Sequence, residues 1–190
     1  MRLFIAIALS EKQKKEVSIL QNRLKTYLSG VRWVRHETLH LTLRFLGETD
    51  ETRLPELINA MDETTAGETQ FAFSLKGSGI FPGTAKARVL WVGLDKGAFL
   101  ITALAEKLDQ KLTGLGFPPE KRPFRPHLTI GRLRYPLPED LMQKFIEKEN
   151  SFQGSSMMVG EITLFESILS RQGAVYHPLH HSALQKSDPQ

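Results

Sequence analysis

Four residues carry the clearest chemical signal in this sequence: His40 and Thr42 in HLTLRFLG (40–47), and His127 and Thr129 in HLTIGR (127–132). The two motifs lie 87 positions apart. Along an extended strand successive side chains alternate in direction. Each histidine therefore shares a face with its threonine, while Leu41 and Leu43, or Leu128 and Ile130, take the opposite one. An imidazole titrates at about pH 6.5, so two of them can divide the roles of general acid and general base near neutrality. Threonine hydroxyls can donate to the non-bridging oxygens of an anion held between them. Together these groups suit cleavage of a phosphoester by proton transfer, without a metal or a covalent intermediate. Two histidines with no carboxylate in either motif are too few to hold zinc, so neither metal nor cofactor is expected. One His-x-Thr alone would read as decoration of a half-exposed strand; two copies in matching contexts read as a site.

Holding such residues requires strands that alternate and helices that cover their apolar faces. Residues 2–9 form a continuous apolar run, which predicts a buried strand. Ser10 and Gln13 have capping-box spacing, and Val17, Leu20, Leu24, Tyr27 and Leu28 recur at helical intervals up to Gly30. VRWV (31–34) and HLTLRFL (40–46) read as strands, and Leu54, Leu57, Ile58 and Met61 mark a second helix. Phe71, Phe73 and Leu75 alternate as in a strand. The order then returns. RVLWVGL (88–94) is strand-like, Ile101, Leu104, Leu108 and Leu112 form a helical stripe ended by Gly114, and HLTI follows. A short helix around Leu141 and Phe145 precedes two closing strands, GEITLFES and AVYHPL, joined by a turn containing Gly173. Arg2 to His40 and Arg88 to His127 span 38 and 39 residues, so the chain reads as an internal duplication, roughly 1–80 and 85–180, within one bilobal domain covering 1–190. The glycine-rich stretch GSGIFPGTAKA (77–87) marks the boundary.

Composition narrows the class. In 190 residues there is no cysteine, which excludes disulfides, cysteine-ligated metals and thiol nucleophiles. The N-terminal apolar run is too short for a signal peptide, and no segment approaches the roughly 18 apolar residues of a membrane span. A cytoplasmic protein without membrane association is expected. The net charge of +4 favours an anionic partner. Its placement is informative: KRPFRPH sets Lys121, Arg122 and Arg125 directly ahead of His127, with Arg132 and Arg134 after it. Phe124, inside this basic run, is the preferred ring for stacking on a base, with Trp33, Phe81 and Tyr135 as further aromatic candidates. Trp33 and Trp91 suit core packing better. Arg44 shares the parity of His40 and Thr42 and is expected at the cleft mouth as an RNA contact, whereas Phe45 belongs to the core-facing set. His36 reads as a surface residue, and His177, His180 and His181 as part of an edge strand or tail ending in SDPQ.

With these residues in view, the sequence resembles the 2H phosphoesterase superfamily, named for two HxTx motifs. Within it, the chain is similar to the RNA 2′,3′-cyclic phosphodiesterases, historically called 2′-5′ RNA ligases. RLFIAI, VRWVRHETLHLTLRFLGE, IFPGTAKARVLWVG, GFPPEKRPFRPHLTIGR and EITLFES resemble family segments in the same order, across most of residues 1–180. The resemblance implies an α+β fold of two pseudo-symmetric lobes, each an antiparallel sheet with helices on its outer face, enclosing a central cleft. That agrees with the duplication read from the intervals. It implies hydrolysis of a 2′,3′-cyclic phosphate to a 2′-phosphomonoester, with His40 as proton donor, His127 as proton acceptor, and Thr42, Thr129 and Arg132 contacting phosphate. Substrates would be RNA ends or nucleoside 2′,3′-cyclic phosphates, tRNA fragments among them, acted on by a monomer. Two other readings use the same residues: 2′-5′ ligation, the reverse reaction, and a non-catalytic RNA or nucleotide-binding module. Arg132 has odd parity from His127, so an ideal strand would turn it away from the site, and a bulge at Gly131 is needed to re-aim it.

Overall fold

Strand β1 (Arg2–Ala8) is buried on both faces from Leu3 to Ile7, as that unbroken apolar run requires of a strand inside a layered fold. The computed structural model describes residues 1–171 and 173–186; the SDPQ segment lies outside the described residues. After β1 the chain forms α1 (Glu11–Lys25), β2 (Val31–Trp33), β3 (His40–Glu48), α2 (Leu54–Thr65), β4 (Phe71–Phe81), β5 (Val89–Leu94) and α3 (Ala98–Gly114). Then follow β6 (Leu128–Leu133), α4 (Glu139–Glu149), β7 (Gln153–Val159), β8 (Glu161–Ser170) and β9 (Gly173–Ala183). The strands make two antiparallel sheets, ordered β3-β1-β8-β9 and β2-β6-β5-β4-β7. Helices α2 and α3 cover the first sheet, and α1 and α4 the second. The fold is the expected α+β pair of sheets with helices outside.

The sheets do not coincide with the sequence halves. β2 and β4 come from the first half yet pair with β6, β5 and β7 of the second, while β8 and β9 return to flank β1. Helix α1 likewise packs on the second sheet and α3 on the first. Ser10 caps α1 by accepting the Gln13 N–H at 3.2 Å. The reciprocal half of a capping box is absent, because the buried Gln13 side chain instead donates to Ser155 O of β7 at 2.8 Å. A single core joins the layers, with Leu20, Leu24, Leu41, Phe73, Leu108, Leu128, Ile130 and Phe145 all fully buried. Each such side chain contributes roughly 1.5–3 kcal/mol of transfer free energy.

Two elements differ from the sequence expectation. The stretch 77–81 is strand rather than boundary loop, and its glycines serve the strand. Gly77, at φ +66°, sits where the β4–β5 register shifts between Lys76 and Ser78, and at Gly79 a Cβ would fall within 2.0 Å of the Trp91 ring. β7 carries no apolar alternation in QGSSMMV and takes its strand form from pairing with β4 along Phe71–Lys76.

Candidate active site

Both motif strands contain a bulge at the same place. In β3, Ala6 opposes Thr42 and Ile5 opposes Arg44, which leaves Leu43 as the extra residue. In β6, Trp91 opposes Thr129 and Leu90 opposes Gly131, which leaves Ile130 extra. The extra residue is third after the histidine in each case, so the fifth residue rejoins the face of the histidine and threonine. In β6 that residue is Arg132, which is exposed while Leu133 is buried. Its charge acts on both imidazoles, lowering the proton affinity of each. The bulge itself is anchored: Ile130 O accepts from Val34 N at 3.0 Å and from Gln21 Nε2 at 2.9 Å, and the same Gln21 amide also donates to Val34 O at 2.8 Å. Gln21, buried in α1, carries no sequence signal of this role; only the exchange of α1 onto the second sheet brings it there.

The two imidazoles are held alike. His40 Nδ1 lies 2.7 Å from Thr38 O, and His127 Nδ1 lies 2.7 Å from Arg125 O, each a carbonyl two residues upstream. A carbonyl only accepts, so each Nδ1 carries the proton and Nε2 is the nitrogen left for chemistry. Burial is the main influence on His40 and pushes it down to about 4, outweighing the Thr38 hydrogen bond, with Arg132 adding to the depression. His127 is lowered too, again chiefly by burial and then by Arg132, against the Arg125 carbonyl. In the free protein both rings are therefore neutral near pH 7. Thr42 and Thr129 are half-buried, and neither hydroxyl has a hydrogen-bond partner among the described residues.

Aromatic rings floor both sides. Around His40 stand Phe4 at 4.8 Å and Tyr176, edge-on, at 5.2 Å, with Phe165 stacked on Phe4 at 5.2 Å. Around His127 stand Phe81, edge-on at 4.9 Å, and Trp91 at 6.3 Å. Phe4 and Tyr176 escaped sequence reasoning because each reads as an ordinary member of an apolar strand. Phe124, expected to stack on a base, is instead half-buried against the core. Trp33 also packs there, and Tyr135 lies against Gly30.

Arg44 does not reach the cleft. The β3 bulge turns it to the outer side, where it is 5% exposed, pairs with Asp109 of α3 at 3.1 Å and with Glu120, and donates to Pro118 O. The same bulge reverses the expectation for Phe45, which is 59% exposed and lies 6.1 Å from Phe4 on the side of His40. Lys121, Arg122 and Arg125 are exposed, and none has an ion-pair partner among the described residues. Of the other histidines, His177 is exposed on β9 and three make side-chain contacts. His36 bridges Ser18 and Glu11, His180 pairs with Asp62, and His181 with Glu161 on the edge strand β9. Among the described residues no group of three or more His, Asp or Glu is placed to hold a metal ion, and no helix is long and apolar enough to cross a membrane.

A fold of two sheets that each present a His-x-Thr strand defines a class, and comparison with known proteins specifies it. The family model described as LigT like Phosphoesterase matches twice, over residues 7–91 and 92–176. RNA 2′,3′-cyclic phosphodiesterases of Thermotoga maritima and Methanothermobacter thermautotrophicus are 36% and 34% identical, over 95% and 92% of this chain and 94% of each relative. A solved Thermus thermophilus protein superposes with a TM-score of 0.81 at 29% identity, covering 99% of this chain and all of that one. E. coli LigT complexed with 3′-AMP superposes with a TM-score of 0.75 at 28% identity, covering 96% of this chain and 97% of that one. The chain belongs to the LigT-like phosphoesterase family, within the 2H phosphoesterases.

Proposed function

We propose that the protein hydrolyses the 2′,3′-cyclic phosphate at RNA or nucleotide ends to a 2′-phosphomonoester, by two-histidine acid–base catalysis that needs no metal. The observation that carries this reading is the matched pair of imidazoles, each with Nδ1 fixed on a carbonyl and Nε2 free, under the influence of one arginine. His127 Nε2 accepts a proton from water as the water oxygen bonds to phosphorus. The bond from phosphorus to O3′ breaks, and His40 Nε2–H delivers its proton to O3′. Thr42, Thr129 and Arg132 hold the non-bridging oxygens, which gain charge in the transition state. The relatives named RNA 2′,3′-cyclic phosphodiesterase support this substrate class.

The test is turnover of a nucleoside 2′,3′-cyclic phosphate. His40→Ala and His127→Ala should each lower kcat by about 10² to 10⁴, the range for one positioned acid or base. The double variant should lose less than the product of the two, because both act in one constellation. On a substrate with a leaving group too acidic to need protonation, His40→Ala should regain much of its rate while His127→Ala stays impaired. Near-wild-type turnover by either variant on the cyclic phosphate would end the two-histidine reading; recovery by His127→Ala alone would exchange the two roles.

A further inference from the structure

A pocket of about 430 Å³ opens between the C-terminal half of β3 and the segment that follows α3, beyond the histidine pair. Its volume lies within the roughly 300–1,000 Å³ of typical ligand sites. Phe45 forms one wall, and Lys121 and Arg122 stand on the other. Three observations bear on what it binds. The exposed Phe45 ring lies 6.1 Å from the buried Phe4 ring, which is itself 4.8 Å from His40, so Phe45 presents its ring on the side of the imidazole, two ring contacts away. The carboxylate in the wall, Glu120, is engaged by Arg44, whereas Lys121 and Arg122 have no ion-pair partner among the described residues. The pocket therefore combines a free aromatic face with a positive balance, the chemistry that single-stranded nucleic acid requires.

Direction supplies the last step. If His40 protonates O3′, the terminal ribose sits on its side of the phosphate, and the rest of the strand leaves from that ribose towards the exposed Phe45. We propose that this pocket is the subsite for the nucleotide immediately upstream of the cyclic end. Its base stacks on Phe45 and its phosphate faces Lys121 and Arg122. Arg44 is a positioning residue here: from inside the protein it clamps Glu120 and Pro118 O, which fixes the cationic segment against β3. The assignment rests on the reaction proposed above, and it makes the enzyme one that reads at least two nucleotides of an RNA end.

The experiment compares kcat/KM for a dinucleotide ending in a 2′,3′-cyclic phosphate with that for the corresponding mononucleotide. Phe45→Ala should lower the ratio by about 5- to 150-fold, the value of one stacked base, and Phe45→Trp should preserve it. An abasic upstream residue should lower the wild-type ratio equally and leave Phe45→Ala nothing further to lose. Lys121→Ala and Arg122→Ala should lower the ratio most at low salt. An unchanged ratio in Phe45→Ala, or one restored by an abasic partner, would overturn the subsite. Equilibrium binding of mono- and dinucleotides ending in a 2′-phosphate separates the two readings. A dinucleotide advantage that depends on Phe45, in a protein inert on cyclic phosphates, would retain the subsite and reject the reaction; no advantage would reject the subsite alone.

Discussion

Substrate binding should draw a proton into this protein, and the two histidines determine how much. His40 lies at about 4 in the free protein, against an ordinary value of 6.5. That gap corresponds to roughly 3 kcal/mol disfavouring the imidazolium, so only about one molecule in a thousand holds the donor proton at pH 7. The proposed mechanism requires that proton. A monoanionic phosphodiester bound against Nε2 and Arg132 supplies the compensation. One hydrogen bond between charged groups is worth about 1.5–3 kcal/mol, enough to return His40 most of the way to its ordinary range. The signs follow. kcat/KM reports the free enzyme, so its optimum should fall below pH 6.5 and its rate should decline as rising pH strips the donor; kcat reports the complex, so its falling limb should lie about one to two pH units higher. The apparent values belong to the coupled pair. Calorimetry in two buffers of different ionisation enthalpy, with His127→Asn and an intact nucleoside 2′,3′-cyclic phosphate, should show roughly half a proton or more taken up near pH 5, falling to a small fraction by pH 7. No uptake between pH 5 and 7, together with coincident kcat and kcat/KM profiles, would refute the reasoning.

Four further outcomes are expected. Because the folded state depresses His40, its neutral ring opposes unfolding at no pH above 6.5, but stability should be lost as pH falls from 6.5 towards 4, where only the unfolded chain takes the proton; the loss should reach roughly 3 kcal/mol, and urea unfolding of His40→Gln should lack that component. Gln21→Leu should cost about 1–3 kcal/mol in the same assay and lower kcat by loosening the bulge that directs Arg132, while a core truncation away from β6, Met61→Ala, should destabilise without a matching loss of kcat. Hydrolysis should persist in excess EDTA; loss on chelation with recovery on adding a divalent ion would contradict the donor set. Arg44→Met should leave Asp109 and Glu120 unpaired but partly exposed to water, and so destabilise by only about 1 kcal/mol in urea; a loss several times larger would mean that the two carboxylates depend on Arg44 for their solvation.

Much of the fold was legible because burial writes a period into the sequence. The stripe from Val17 to Leu28, the unbroken run of β1 and the alternation at Phe71–Leu75 each correspond to an element in place. Strand β7 was not legible, since QGSSMMV has no periodic apolar face and is ordered by β4. The motif histidines could be found from repetition alone. Parity alone misdirected Arg44 and Phe45, because it assumes an ideal strand, and the bulge expected at Gly131 to re-aim Arg132 falls one residue earlier, at Ile130. A single extra residue, Leu43, sends Arg44 outward and Phe45 inward, and its counterpart Ile130 does the same for Arg132. Nothing in the local sequence distinguishes a bulged Leu or Ile from a regular one. Tyr176 and Gln21 reach the site only through long-range pairing, which a local reading cannot supply.

The exchange of strands and helices between the two halves has a consequence for how such a molecule can exist at all. Cut near residue 85, the first piece would carry β4 without the neighbours it pairs with, and the second would hold a sheet missing its β2 edge and the β4 that bridges β5 to β7. Neither piece would own a closed core, and each would carry one of the two motif histidines, His40 or His127. A solitary ancestral unit could have become stable only by lending its first helix to a second copy and borrowing one in return. The two motif histidines would then have begun as the same residue in two partners. In the present chain the position five residues after each histidine already differs, Phe45 in one half and Arg132 in the other.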